Sequence, residues 1–128
     1  MSAIRPLPVA TATVADLDAF FKAFADPTRL RILNVLAAGE LCVCDLVDLL
    51  NLPQPSVSRH LAVLRRAELV EVARDGRFMY YRLAAPVHDA HRALAGCVRS
   101  CFAGIPSLDT ERALAGERVR ERAAEPCA

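Results

Sequence analysis

Two cysteines stand one residue apart in GELCVCDLVDLL, at Cys42 and Cys44. Thiolates are soft donors that select soft ions over magnesium or calcium. At the start of a helix, free N–H groups and the helix dipole lower a thiol's pKa and favour the ligating thiolate. Within a regular helix, residues two apart point about 200° apart. Cys42 and Cys44 can therefore share one ion only if the first turn is distorted or unformed. Cys97 and Cys101 are four apart, a spacing that brings two thiolates to one helix face. Packing is the competing reading, because free cysteine is often a small buried hydrophobe, and it stays open for Cys97 and for Cys101.

A second set of side chains carries hydrogen-bond donors and positive charge. In LPQPSVSRHLAVLRRAEL, Ser56, Ser58, Arg59 and His60 crowd the first half of a helix whose Val57, Leu61, Val63 and Leu64 form an apolar stripe. Arg74 and Arg77 bracket Asp75-Gly76 in the next segment. Donors near a helix N-terminus suit base edges and phosphate oxygens in a major groove, and an arginine-tipped hairpin suits the backbone beside it. Between Gln54 and Arg82 six arginines face three carboxylates, whereas Glu40 to Leu50 holds only Glu40, Asp45 and Asp48. Positive charge is thus concentrated where phosphates would lie. Singly, each arginine also suits a solvated face; the ordered combination favours DNA.

The elements that must position these groups follow from periodicity. Residues 1–15 read as a flexible arm with two prolines. Leu17, Phe20, Phe21 and Phe24 recur at helical spacing. Asp26-Pro27 is an N-cap and first-turn pair for a second helix, which Gly39 ends. A short helix over 43–50, a break at Asn51-Leu52-Pro53 and the Ser/Arg helix make a helix-turn-helix. The alternating run LVEVARDGRFMYYRL around Asp75-Gly76 predicts a hairpin, which serves as a wing. A further helix from Pro86 to about Phe102 carries His88, His91, Cys97 and Cys101, and a charged helix near 109–123 follows the break at 104–107. The expected fold is mainly α with a small β-hairpin: a winged helix-turn-helix of order α-α-α-α-β-β-α plus a C-terminal helix. The domain limits are 16–104 for the winged helix-turn-helix and 105–128 for the C-terminal helix and tail.

The bulk numbers agree. With 128 residues, 54% hydrophobic and 24% charged, the chain suits one ordered domain. No apolar run reaches the ~20 residues a membrane span needs, and no secretory signal opens the sequence. A cytoplasmic location is therefore expected, where an odd count of five cysteines is held reduced rather than in a disulfide framework.

FKAFADPTRLRILNVLAAGELCVCDL, LPQPSVSRHLAVLRRAELVEVARDGRFMYYRL and the helix after them resemble the ArsR/SmtB family of winged helix-turn-helix metalloregulators, over residues 16–102. The resemblance implies a homodimeric repressor that binds palindromic operator DNA and leaves it when a metal or metalloid binds. It implies DNA-reading roles for Gln54, Ser56, Ser58, Arg59 and His60, with the wing tip at Asp75 to Arg77. The ELCVCDL stretch is similar to the inducer motif of the arsenic-responsive branch, which implies As(III) or Sb(III) on Cys42 and Cys44. That branch often has a third cysteine where this chain has Val47, leaving Cys97, Cys101 or Cys127 to complete three thiolates. The cadmium- and lead-responsive branch draws further cysteines from an N-terminal arm, and residues 1–15 hold none. His88, Asp89 and His91 depart from the spacing of the zinc sites of other branches and read as solvated helix residues.

Three other functions compete. A Cd(II)/Pb(II)-responsive repressor would use the same fold, and a thiol redox-sensing repressor would oxidise Cys42/Cys44 or Cys97/Cys101. A small thiol enzyme such as an arsenate reductase would need an anion loop rich in Gly and Ser/Thr beside the cysteine. The acidic GELCVCDLVD does not supply one, so no enzyme is expected.

Overall fold

The computed structural model describes residues 12–124. Of the sequence expectations, the first eleven residues of the arm and Cys127 lie outside the described residues. The chain runs α1 (Val14–Phe24), α2 (Pro27–Leu36), β1 (Leu41–Cys42), α3 (Val43–Leu50), α4 (Gln54–Arg66), β2 (Val70–Asp75), β3 (Phe78–Leu83), α5 (Asp89–Ser100) and α6 (Pro106–Ala124). Helix α1 opens at Val14 because Thr13 and Asp16 form a reciprocal capping box, each side chain taking the other's backbone N–H. Asp26 caps α2 as its type predicts, accepting from the Thr28 and Arg29 N–H groups at 2.9 and 3.1 Å.

The strands form an antiparallel sheet of order β1-β3-β2. The expected hairpin is present, with Gly76 and Arg77 as its two-residue loop between the paired Asp75 and Phe78. Gly76 has φ +65°, the left-handed conformation that primed hairpin turns demand at this position. The third strand was not anticipated. Leu41 and Cys42 pair with Tyr81 and Tyr80 of β3, too short a strand to show a period of two.

One apolar core joins the elements. Phe20 of α1, Ile32, Leu33 and Val35 of α2, Leu46 and Leu50 of α3, and Val57, Leu61 and Leu64 of α4 are all buried. The turn between α3 and α4 is set by Asn51 at φ 54°, a conformation asparagine tolerates, with the Leu52 N–H returned to the Val47 carbonyl at 3.3 Å. Helix α6 folds back on α2 and α3, and Ala115 is its buried contact.

Candidate nucleic-acid interface and thiol site

Helix α4 has two faces. Val57, Leu61 and Leu64 are fully buried, while Gln54, Ser58 and Arg59 are exposed and Ser56 half-buried. Arg74 and Arg77 are exposed at the hairpin end. These side chains form the polar rim of the helix-turn-helix and wing.

His60 differs from its neighbours. Its Nδ1 accepts from Arg29 Nη1 at 3.1 Å and lies 3.9 Å from Asp26 Oδ1. The same guanidinium donates from Nε to the Ala23 carbonyl and from Nη2 to the Lys22 carbonyl. One arginine therefore ties the last turn of α1 and the head of α2 to the recognition helix. Burial works against the Asp26 charge, but the backbone N–H and the guanidinium of Arg29 hold this carboxyl below its ordinary range. His60 is thus engaged on its inner edge and positions α4.

Sequence reading missed a groove of about 390 Å³ beside this face, lined by Ser58, Ala62, Arg65, Arg66 and Tyr81. Ser58, Ala62 and Arg65 fall four and three residues apart, so helical periodicity alone carried that signal. Arg82, by contrast, is committed to Glu71 at 3.0 Å and Glu40 at 3.4 Å across the sheet.

At the other end of the helix-turn-helix lies the thiol motif. Cys42 is the N-cap of α3 with extended backbone, φ −88° and ψ 169°, so the regular-helix divergence expected of the pair does not apply to it. It is buried, at 3% exposure, whereas Cys44 is exposed. As folded, the two sulfurs face different environments. The expected lowering of pKa fails for Cys42: burial pushes its thiol up, a backbone hydrogen bond from Asp45 opposes this, and the Asp45 carboxylate raises it further against a small opposing effect of Arg122. The helix terminus is outweighed because its cap carboxylate already sits there. Asp45 Oδ2 accepts from the Cys42 backbone N–H at 3.1 Å and from Cys42 Sγ at 3.3 Å.

Asp45 is itself buried and its charge is balanced from α6. Arg118 Nη1 donates to Oδ1 at 2.9 Å, and Arg122 Nη2 donates to Oδ2 at 2.5 Å. Burial alone would raise its pKa, but Arg118, Cys42 and Arg122 together hold it below the usual carboxylate range. Arg122 also lies over the Tyr80 ring, 5.3 Å from its centroid, and donates to the Tyr80 hydroxyl. Further along α6, Arg112 donates to buried Asn34 and to the Val98 and Arg99 carbonyls at the end of α5. Arg31 forms a fork with Glu111.

Cys97 is half-buried and Cys101 exposed. The neighbouring Cys101 thiol, followed by burial, raises the Cys97 pKa. The Cys101 N–H donates to the Cys97 carbonyl at the end of α5, one helical turn away. Among the described residues, however, no group of three or more His, Cys, Asp or Glu is arranged to hold a metal ion, so the two pairs do not converge within one chain. The histidines are not solvated as expected. His88 caps α5, accepting the His91 N–H at Nδ1, and His91 is 2% exposed. Both rings pack on Phe20, 5.0 and 5.3 Å between centroids, because the α1–α5 junction takes in the first turn of α5.

Residues 26–72 match the model of the bacterial regulatory protein family described as arsR. The arsenical resistance operon repressor of Escherichia coli is 49% identical over 65 residues, 50% of this chain and 56% of that protein. The protein of the same description from Staphylococcus aureus is 38% identical over 74 residues, 58% of this chain and 71% of its own length. Among solved structures, the homodimeric winged helix-turn-helix DNA-binding domain of a possible ArsR-family regulator from Mycobacterium bovis aligns with TM-score 0.58 and 29% identity, over 67% of this chain and 77% of that one. With the family model on residues 26–72 and 38% identity over 71% of the length of the Staphylococcus aureus repressor, this chain belongs to the ArsR family of bacterial regulatory proteins.

Proposed function

We infer that the protein is a homodimeric repressor that binds operator DNA and releases it when As(III) or Sb(III) engages its cysteine thiolates. The observation that carries this reading is the thiol motif built into the cap of α3, the helix that supports the recognition helix. Residues 16–104 form the DNA-binding and dimerisation unit in this reading, with 105–128 appended. Gln54, Ser56, Ser58 and Arg59 read DNA, His60 sets the helix, and Arg74 and Arg77 hold the backbone from the wing. Phosphate contacts fix the register while base contacts specify.

Cys42 and Cys44 are the first two ligands. The donor chemistry fits a soft ion, and Cys42, extended at its cap position, joins Cys44 once its thiol leaves Asp45. Cys97 and Cys101 supply the missing thiolate, from the same chain after rearrangement or from the partner. Movement of the α3 cap then biases the dimer away from its DNA-bound geometry. The names of the Escherichia coli and Staphylococcus aureus relatives support the metalloid, and the homodimeric Mycobacterium bovis domain supports the dimer.

The test is fluorescence anisotropy on labelled upstream DNA of the protein's own operon under reducing conditions, titrated separately with arsenite, antimonite, cadmium and peroxide. Release by arsenite or antimonite at stoichiometric levels is expected. Release by cadmium alone reassigns the inducer, and release by peroxide alone reassigns the site as a redox switch.

A further inference from the structure

Cys42 is buried, and one helix closes over the carboxylate that holds its thiol. Its sulfur is turned inward to Asp45 Oδ2, and both oxygens of that carboxylate are held by Arg118 and Arg122, one turn apart on α6. Between those arginines, Val119 rests on Gly39, at the entry to the thiol motif. A β-carbon at Gly39 would lie 3.0 Å from Val119 Cγ1, so the backbone here is shaped to admit α6. Arg118 reaches one turn further to Asp48. The same helix is tied at its other end to the C-terminal carbonyls of α5 by Arg112, three residues short of Cys101 and next to Cys97.

We propose that α6 is a removable strap over the thiol motif, that Arg118 and Arg122 are the positioning residues that latch it through Asp45, and that Cys42 becomes accessible only when the strap lifts. The fixed geometry leaves Cys44 available at the surface at all times, so a soft ion meets Cys44 first and completes its site only on strap release. Anchorage on the last carbonyls of α5 makes lifting the strap at one pair of cysteines loosen it at the other. What the strap is for rests on the reading of Cys42 as a ligand; that it covers Cys42 is tested without any metalloid.

The experiment alkylates the full-length native chain with N-ethylmaleimide and follows each cysteine by peptide mass mapping. In the parent, Cys44 should react at least tenfold faster than Cys42. The Arg118→Ala/Arg122→Ala variant should accelerate Cys42 at least tenfold and leave Cys44 unchanged. Losing two nearby cations would by itself slow a thiolate reaction, so acceleration reports uncovering. Arg120→Ala, on the same helix and outside the latch, should match the parent. Val119→Ala touches no charge and loosens only the contact over Gly39; it should accelerate Cys42 several-fold even if the double variant does not fold. Cys42 rates equal to the parent's in Val119→Ala and in a folded double variant overturn the strap. Arsenite is then added to the parent. Protection of Cys42 by arsenite with no effect of the strap variants leaves the sensor reading standing and the strap refuted. Strap variants that open Cys42, with no arsenite protection, leave the strap standing and refute the sensor.

Discussion

Replacing Asp45 by asparagine removes one charge from the only buried carboxylate among the described residues. The parent oxygens take four donors: Arg118 Nη1, Arg122 Nη2, and the backbone N–H and thiol of Cys42. Asparagine offers one oxygen and sets an amide donor where the other stood, so a guanidinium meets another donor whichever way the amide turns. Removing one partner of a buried pair costs about 3–5 kcal/mol, because the remaining charge stays desolvated. Here the arginine side chains are 30% and 18% exposed, and Arg118 keeps Asp48. Both can rotate toward water, which places the expected loss at about 2–3 kcal/mol. For a chain of this size that is roughly 6–15 °C in Tm. The assay is urea and thermal unfolding by circular dichroism at fixed protein concentration. The pH dependence has a definite sign. The folded carboxyl is held below its unfolded value of 3.8, so its stabilisation is present above that pH and is lost as pH falls through the lower folded value. Parent and variant should therefore converge only below about pH 3.8. A difference under about 0.5 kcal/mol at pH 7 would refute the latch as a buried charge network.

Three further outcomes are expected. Arg59→Ala should weaken operator binding, by about 1–3 kcal/mol if it reads a base, or with a salt slope reduced by roughly one if it holds a phosphate; anisotropy across a salt series separates these, and parental affinity throughout removes Arg59 from the interface. Cys44→Ser should abolish arsenite-induced release with DNA affinity near normal, and undiminished release would move the site to Cys97 and Cys101. Burial, with His88 beside it, holds the His91 pKa below its unfolded value of 6.5. The unfolded chain thus takes up the proton first, and Tm should fall as pH drops from about 7 through 6.5 toward 5; a His91→Gln variant should lose that slope, and an unchanged slope would assign it elsewhere.

Much of the architecture was legible because local chemistry and tertiary demand agree. Asp26-Pro27 starts a helix by capping and fixed φ, Asp75-Gly76 closes the hairpin, and the stripe Val57, Leu61, Leu64 turns one face of α4 inward. The site was legible as a list of residues more than as an arrangement. Strand β1 is two residues long and shows no alternation. In sequence α6 is only a charged helix, since nothing at Arg118 or Arg122 announces a partner some 70 residues away at Asp45. His91 looked exposed because histidine is so often solvated, and only the packing of Phe20 against α5 buries it. The Cys42 pKa ran opposite to its helix-terminus expectation for the same reason: burial and a carboxylate outweigh a dipole.

Cys42 ends a strand and caps a helix at once. Through β1 it is paired with Tyr80, in the hairpin strand that ends at Leu83; through its cap position it starts α3, which packs on α4. No residue separates the strand from the helix at this point, so a displacement of Cys42 is carried to β3 and to α3 together.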